Sequence, residues 1–145
     1  MILYLDTSAL AKRYLAESGT QDVLQWISQA RLTCTSLITR AEMGAAITKA
    51  VRMAWMSVEQ GQSVLQQFRS EWEMFGRLPI HESTVQRADE LACRYGLRGF
   101  VSVHLACAIL YCESLGAPVT FATYDRSLWQ AARVEGLYVL PTDFP

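Results

Sequence analysis

At 145 residues, with 51% hydrophobic and 19% charged residues, the chain is long enough to bury a core and too apolar to be disordered. A formal net charge of −1 excludes a protein that holds nucleic acid over a broad basic surface, so any such contact must be made at a local site. Cys34, Cys93, Cys107 and Cys112 form no CxxC pair and read as free thiols in a reducing compartment. The start reaches Asp6 after four apolar residues, with no basic n-region, and does not read as a signal peptide. No apolar run approaches the roughly 18 residues of a membrane helix, so the expectation is one cytoplasmic domain over residues 1–145 with no membrane association.

Ile2–Leu5 is a short apolar run ended by Asp6, Thr7 and Ser8, the pattern of a buried parallel strand entering a helix N-cap. Helical pattern follows over Ala9–Leu15 and again over Asp22–Ala30. Leu32–Ser36 predicts a second strand, and Leu37–Met53 a helix. Ser57 with Gln60 is a capping box that opens a long helix to about Phe75. Leu78, Pro79 and Ile80 form a short strand-like piece. Ser83 with Gln86 suggests another capping box, for a helix ended at Tyr95 by Gly96. A very apolar helix spans Phe100–Leu115 and stops at Gly116, and Val119–Thr123 is the strongest strand signal. Asp125–Glu135 predicts a helix, and Leu137–Leu140 a last strand closed by Pro141. Strands alternating with helices imply a parallel sheet covered on both faces, with no internal repeat or linker.

Ligands of open parallel sheets bind beyond the carboxyl ends of the strands, and three acids fall there. Asp6 follows the first strand, Glu42 lies in the first turns of the helix after the second, and Asp125 follows Val119–Thr123 with Tyr124 between. Taken singly, Asp6 and Asp125 read as N-caps and Glu42 as a solvated helix residue. Together they point to a cation, because two carboxylates about 4 Å apart repel by roughly 4 kcal/mol at an effective dielectric of about 20. Oxygen-only ligands select Mg²⁺ or Mn²⁺, and no Cys/His cluster argues for zinc.

Four blocks in order resemble the PIN domains of VapC-type toxins. They are YLDTSALAKRYL over Tyr4–Leu15, TRAEM over Thr39–Met43, RYGLRGFVSVHLA over Arg94–Ala106, and TYDRSL over Thr123–Leu128. The first block alone is a weak signal; the four in order, running nearly end to end, are a strong one. The resemblance implies a three-layer α/β sandwich with a central parallel sheet of about four to five strands and helices on both faces. It also implies a Mg²⁺- or Mn²⁺-dependent endoribonuclease, the toxin of a toxin–antitoxin pair, held silent by a small antitoxin protein and homodimeric. Carried over by position, Asp6, Glu42 and Asp125 take the catalytic and metal-binding roles. Thr7 or Ser8 would orient the first carboxylate, and Thr123 would support Asp125.

One position departs from that pattern. Where the resemblance implies an acid after Gly99 and Phe100, this chain has Val101, whose side chain has no oxygen to ligate a cation or bridge to water. Losing even a supporting group around a metal costs about 10–100-fold in affinity or activity, so the chain as written is expected to be a weak nuclease. Two explanations stand. Val101 belongs to an attenuated or metal-weak homologue, or it is a substitution that lets a toxic protein be produced; the intact flanking residues favour the second.

Other residues carry weaker signals. His104 lies one helical turn after Val101 and reads as a satisfied core histidine, a metal role being the alternative. Lys12, Arg13, Arg40 and Arg126 lie near the motif acids and are candidates for RNA phosphate or antitoxin contact, against ordinary surface charge. A rival reading is a catalytically silent PIN-like module that binds antitoxin or RNA. A phosphatase or receiver-type protein ranks lower, since Ser8 stands where the former needs a second Asp and no acidic pair precedes Asp6. The apolar content of Ala45–Trp55 and Val64–Phe75 predicts a partner-binding face on those helices. Light scattering of the purified chain is expected to give a species larger than a monomer; a clean monomer that also binds no antitoxin would refute that face.

Overall fold

A computed structural model describes residues 1–144. Among them, five strands form one all-parallel sheet in the order β3-β2-β1-β4-β5, with seven α-helices around it. The strands are β1 (Ile2–Leu5), β2 (Leu32–Ser36), β3 (Gly76–Leu78), β4 (Val119–Ala122) and β5 (Tyr138–Leu140). The helices are α1 (Thr7–Ala11), α2 (Thr20–Gln29), α3 (Ile38–Arg52), α4 (Val58–Glu71), α5 (Glu82–Tyr95), α6 (Gly99–Leu115) and α7 (Arg126–Val134). The parallel α/β sandwich expected from the sequence is the fold observed.

Period-two alternation in β1 builds the layers. Leu3 and Leu5 face a core with α1, α3 and α4, through Leu10, Met43 and Phe68. Ile2 and Tyr4 face the opposite core with α5, α6 and α7, through Leu91, Leu105 and Leu128. Burial on both faces explains why this strand carries no polar position. Each fully buried Leu or Phe contributes about 1.5–3 kcal/mol relative to exposure.

Several element boundaries differ from those expected. The third strand is Gly76–Leu78 and not Leu78–Ile80, pairing Cys34 with Gly76 and Ser36 with Leu78; Pro79 has no N–H for a ladder and ends it. The helix after β1 closes at Ala11, and the chain runs on to Tyr14 in i→i−3 turns, with Lys12 N–H on Ala9 and Arg13 N–H on Leu10. Helix α5 begins at Glu82, where the Thr84 hydroxyl accepts the His81 N–H at 3.1 Å, so Ser83 and Gln86 are not its capping pair. Helix α4 ends at Glu71 and passes into a 3-10 turn, Trp72–Met74, which carries Trp72 and Phe75 into the core. Its Ser57–Gln60 capping box is present at both bonds.

The chain order matters for the site. From central β1 it steps outward through β2 to β3 on one side, while β4 and β5 occupy the other. The switch between β1 and β4 opens a crevice at their carboxyl ends, the place where open α/β sheets bind ligands. Among the described residues no single helix is long and apolar enough to cross a membrane. Phe121 of β4 is fully buried and stacks on Tyr4 at 5.3 Å, whereas Phe100 is 63% exposed. Phe121→Ala is therefore expected to cost about 3–5 kcal/mol and Phe100→Ala less than about 0.5 kcal/mol, as read from urea unfolding; equal effects would contradict this core.

Candidate active site

Asp6 follows β1 and is 4% exposed. Its N–H bonds the Ala122 carbonyl at 3.1 Å, which continues the β1–β4 pairing to the lip of the crevice. The side chain caps α1, with Oδ1 accepting the Ala9 N–H at 2.9 Å. Ser8 Oγ lies 2.8 and 2.9 Å from the two carboxylate oxygens, and Thr123 Oγ1 donates to Oδ2 at 2.8 Å. Both hydroxyls also accept backbone N–H groups, Ser8 from Tyr124 at 2.9 Å and Thr123 from Asp125 at 3.0 Å. Each hydroxyl therefore links the Asp6 carboxylate to the segment after β4. Three donor hydrogens meet the roughly four lone-pair sites of a carboxylate, and the charge is largely satisfied within the chain. Burial still raises the Asp6 pKa above its ordinary value, against the lowering pull of His104, Ala9, Ser8 and Thr123.

Glu42 stands on α3. Its Oε1 accepts the Thr7 hydroxyl at 2.7 Å and lies 2.6 Å from His104 Nε2. Burial pushes this carboxyl up, but the hydrogen bonds from His104 and Thr7 and the guanidinium of Arg98 overcome it and hold the pKa below the ordinary range. Asp125 caps α7, Oδ1 accepting the Leu128 N–H at 2.9 Å, and its Oδ2 meets Arg98 at 3.1 Å. Glu42, Arg98, Gly99, Phe100 and Val101 line a cavity of about 360 Å³ at this end of the sheet.

The structure thus puts Glu42 and Val101 on one cavity. Asp125 is joined to that cavity by Arg98, and Asp6, which does not line it, is tied to Asp125 through Thr123. The supporting roles differ in detail from those expected. Ser8 holds Asp6, Thr7 holds Glu42, and the Thr123 side chain serves Asp6 while taking only the backbone N–H of Asp125. Lys12 bonds Glu17 and the Ser18 carbonyl and lies over Tyr124; Arg13 pairs with Glu71 at 2.8 Å. Arg40 lies 5.8 Å over the Trp72 ring and Arg126 4.6 Å over Phe144. Three members of the site were not anticipated: Arg98, Tyr4 and the bond from His104 to Glu42. Arg98 could have been noticed because it immediately precedes the Gly99–Phe100 pair.

These oxygen donors are the kind a hard divalent ion takes. As arranged, however, Asp6 takes hydrogen bonds on both oxygens, Asp125 is paired with Arg98, Glu42 is held at Oε1, and position 101 supplies no oxygen. Among the described residues no three His, Cys, Asp or Glu side chains gather to hold one ion. The residues present do not fit a tightly held metal.

Five parallel strands with acids after β1 and β4, at the switch in strand order, define a parallel α/β protein. The sequence matches the PIN domain family over residues 3–134, and the chain belongs to that family. It is 26% identical over 130 residues to Ribonuclease VapC3 of Pyrobaculum aerophilum, covering 88% of this chain and 92% of that protein. The fold is shared with FitAcB from Neisseria gonorrhoeae, with a TM-score of 0.70 at 20% identity over 98% of each chain. It is shared also with VapBC2 from Rickettsia felis bound to a promoter DNA fragment, with a TM-score of 0.63 at 18% identity over 96% of this chain and 97% of that one.

The raised Asp6 pKa has a testable sign. Its contribution to stability is full below its unfolded pKa and is lost as pH rises through the higher folded value. Asp6→Asn removes this titration, so its Tm is expected to fall less than that of the parent chain as pH rises from acid to neutral. The same pH dependence of Tm in both forms would show that the Asp6 pKa is not raised by folding.

Proposed function

We propose that this chain is a cytoplasmic, ribonuclease-type toxin of a toxin–antitoxin pair, weak as a nuclease in the form written here. Membership of the PIN family and the likeness to Ribonuclease VapC3 support RNA hydrolysis as the chemistry. The observation that carries the attenuated reading is that Val101 lines the same cavity as Glu42 and Arg98, so an apolar wall stands where a fourth acid would close the set. Asp6, Glu42 and Asp125 are the acids assigned to the centre, with Thr7, Ser8 and Thr123 holding them. Mg²⁺ or Mn²⁺ is the ion such oxygens select, and an acid at position 101 is what the set lacks for binding it.

Partner contacts fall to the pair of helices α3 and α4. Leu37, Arg40, Ala41, Gly44, Leu65 and Arg69 border a hollow of about 650 Å³ between α3 and α4, and Met53, Trp55 and Val58 at the tip of that pair are exposed. We assign an antitoxin segment or a second copy of the chain to this face, in line with the toxin–antitoxin complexes that share the fold. Arg40 lines it, while Lys12 and Arg13 are engaged with Glu17 and Glu71 and would reach RNA or antitoxin only by releasing them. The four cysteines are unpaired, with Cys34 and Cys107 buried, which suits a reducing compartment.

A second reading, the catalytically silent binding module, draws on the Arg98–Asp125 pair, which satisfies one acid without a metal ion. One experiment separates the two. Val101→Asp is expected to raise Mg²⁺- or Mn²⁺-dependent RNA cleavage at least about 10–100-fold, to be stopped by EDTA, and to tighten metal binding in calorimetry. Equal cleavage by both forms would remove position 101 from the centre, and no cleavage by either would favour the silent module.

A further inference from the structure

His104 stands between Tyr4 and Glu42 with both ring nitrogens occupied. Nδ1 lies 2.8 Å from the Tyr4 hydroxyl, and Nε2 lies 2.6 Å from Glu42 Oε1 and 3.2 Å from Thr7 Oγ1. The ring is fixed by more than these bonds. Its side chain is 3% exposed, it meets the Tyr4 ring edge-on at 6.0 Å, and the Tyr4 ring is in turn stacked on Phe121. No buried side-chain nitrogen or oxygen is without a partner among the described residues, so this chain of bonds is complete.

The direction of each bond follows from the chemistry of its ends. A carboxylate only accepts, so a bare Nε2 facing Glu42 at 2.6 Å would set two lone pairs against each other. Nε2 must carry hydrogen, in the neutral ring and in the imidazolium alike. Burial raises the Tyr4 pKa well above its ordinary value, so the phenol keeps its proton and donates it to Nδ1 of the neutral ring. That bond selects the same tautomer as Glu42 does. Thr7 donates to the same Oε1 from α1 at 2.7 Å. Two donors on different helices therefore hold one oxygen of Glu42, and Oε2 is the oxygen left to the cavity.

We propose that His104 is a positioning residue that fixes Glu42 through a permanent Nε2–H donor, set by Tyr4, and that this nitrogen is not a metal ligand. The inference rests on Glu42 as a carboxylate of the proposed centre, but the bond itself is independent of that reading. It accounts for a histidine buried inside an otherwise apolar helix, one turn beyond position 101: the imidazole crosses from the core to the crevice and carries the order of β1 into the α3 carboxylate.

The ¹⁵N-labelled chain tests the bond directly, because it contains only two histidines and His104→Gln assigns the signals. Long-range imidazole spectra are expected to show a protonated Nε2 at every pH at which the chain is folded. Tyr4→Phe should shift Nδ1 and leave Nε2 protonated. A bare Nε2 with a protonated Nδ1 would overturn the proposal. Its consequence for chemistry is tested in the Val101→Asp form. There His104→Leu should lower kcat about 10–100-fold with KM little changed, and His104→Gln, which keeps a donor near Nε2, should recover most of it. Equal losses in the two variants would make the imidazole itself the reacting or ligating group and refute positioning. If Val101→Asp cleaves no RNA, the functional reading fails while the spectra still decide the role of His104.

Discussion

The buried carboxylate of Asp6 is the constraint on which the crevice depends. A carboxylate taken out of water is strongly destabilising unless hydrogen bonds replace its solvent. Here the replacement comes from three places: the first turn of α1, the hydroxyl of Ser8, and the hydroxyl of Thr123 on the segment after β4. Because Ser8 and Thr123 also take the N–H groups of Tyr124 and Asp125, satisfying one charge aligns two chain segments far apart in sequence. The β1–β4 switch point is thereby a bonded joint, and the acids that follow both strands have fixed positions relative to each other.

The remaining acids are satisfied by different means, and the differences shape the chemistry. Glu42 is held by Thr7 and His104 and stays ionised, whereas Asp125 caps α7 and pairs with Arg98, a side chain that is 82% exposed. An exposed pair of this kind is worth at most about 1 kcal/mol, so Arg98 is easily drawn away by a phosphate or by another acid. The buried bonds around Asp6 and Glu42 are not so readily exchanged. The site therefore has a rigid floor made by Asp6 and Glu42 and an adaptable rim made by Arg98 and Asp125, with Val101 and Phe100 beside it.

Much of this was legible in the sequence because it is local. The apolar runs of β1 and β4, the capping box at Ser57, and the acids placed just after strands all follow from short-range pattern. The failures were local too. Pro79 lies in a strand-like stretch, yet its missing N–H ends the strand, and the helix that Ser83 would cap starts two residues earlier, at His81, whose N–H the Thr84 hydroxyl accepts. The hydroxyls of Thr7, Ser8 and Thr123 do bond these acids, with partners partly exchanged from those expected: neighbours in sequence point to opposite sides of a turn, and only the packed structure says which acid each one meets.

By itself the sequence determined the alternation of strands and helices, the carboxylates at strand ends, and the valine at position 101, because these are consequences of residue type and spacing. The tertiary structure decided who bonds to whom. Tyr4 meets His104 across 100 residues of chain, His104 meets Glu42 across 62, and Thr123 meets Asp6 across 117. No periodicity encodes such pairs. They arise because a parallel sheet brings the carboxyl ends of β1, β2 and β4 together, and a buried polar group must then take whatever partner the packing supplies.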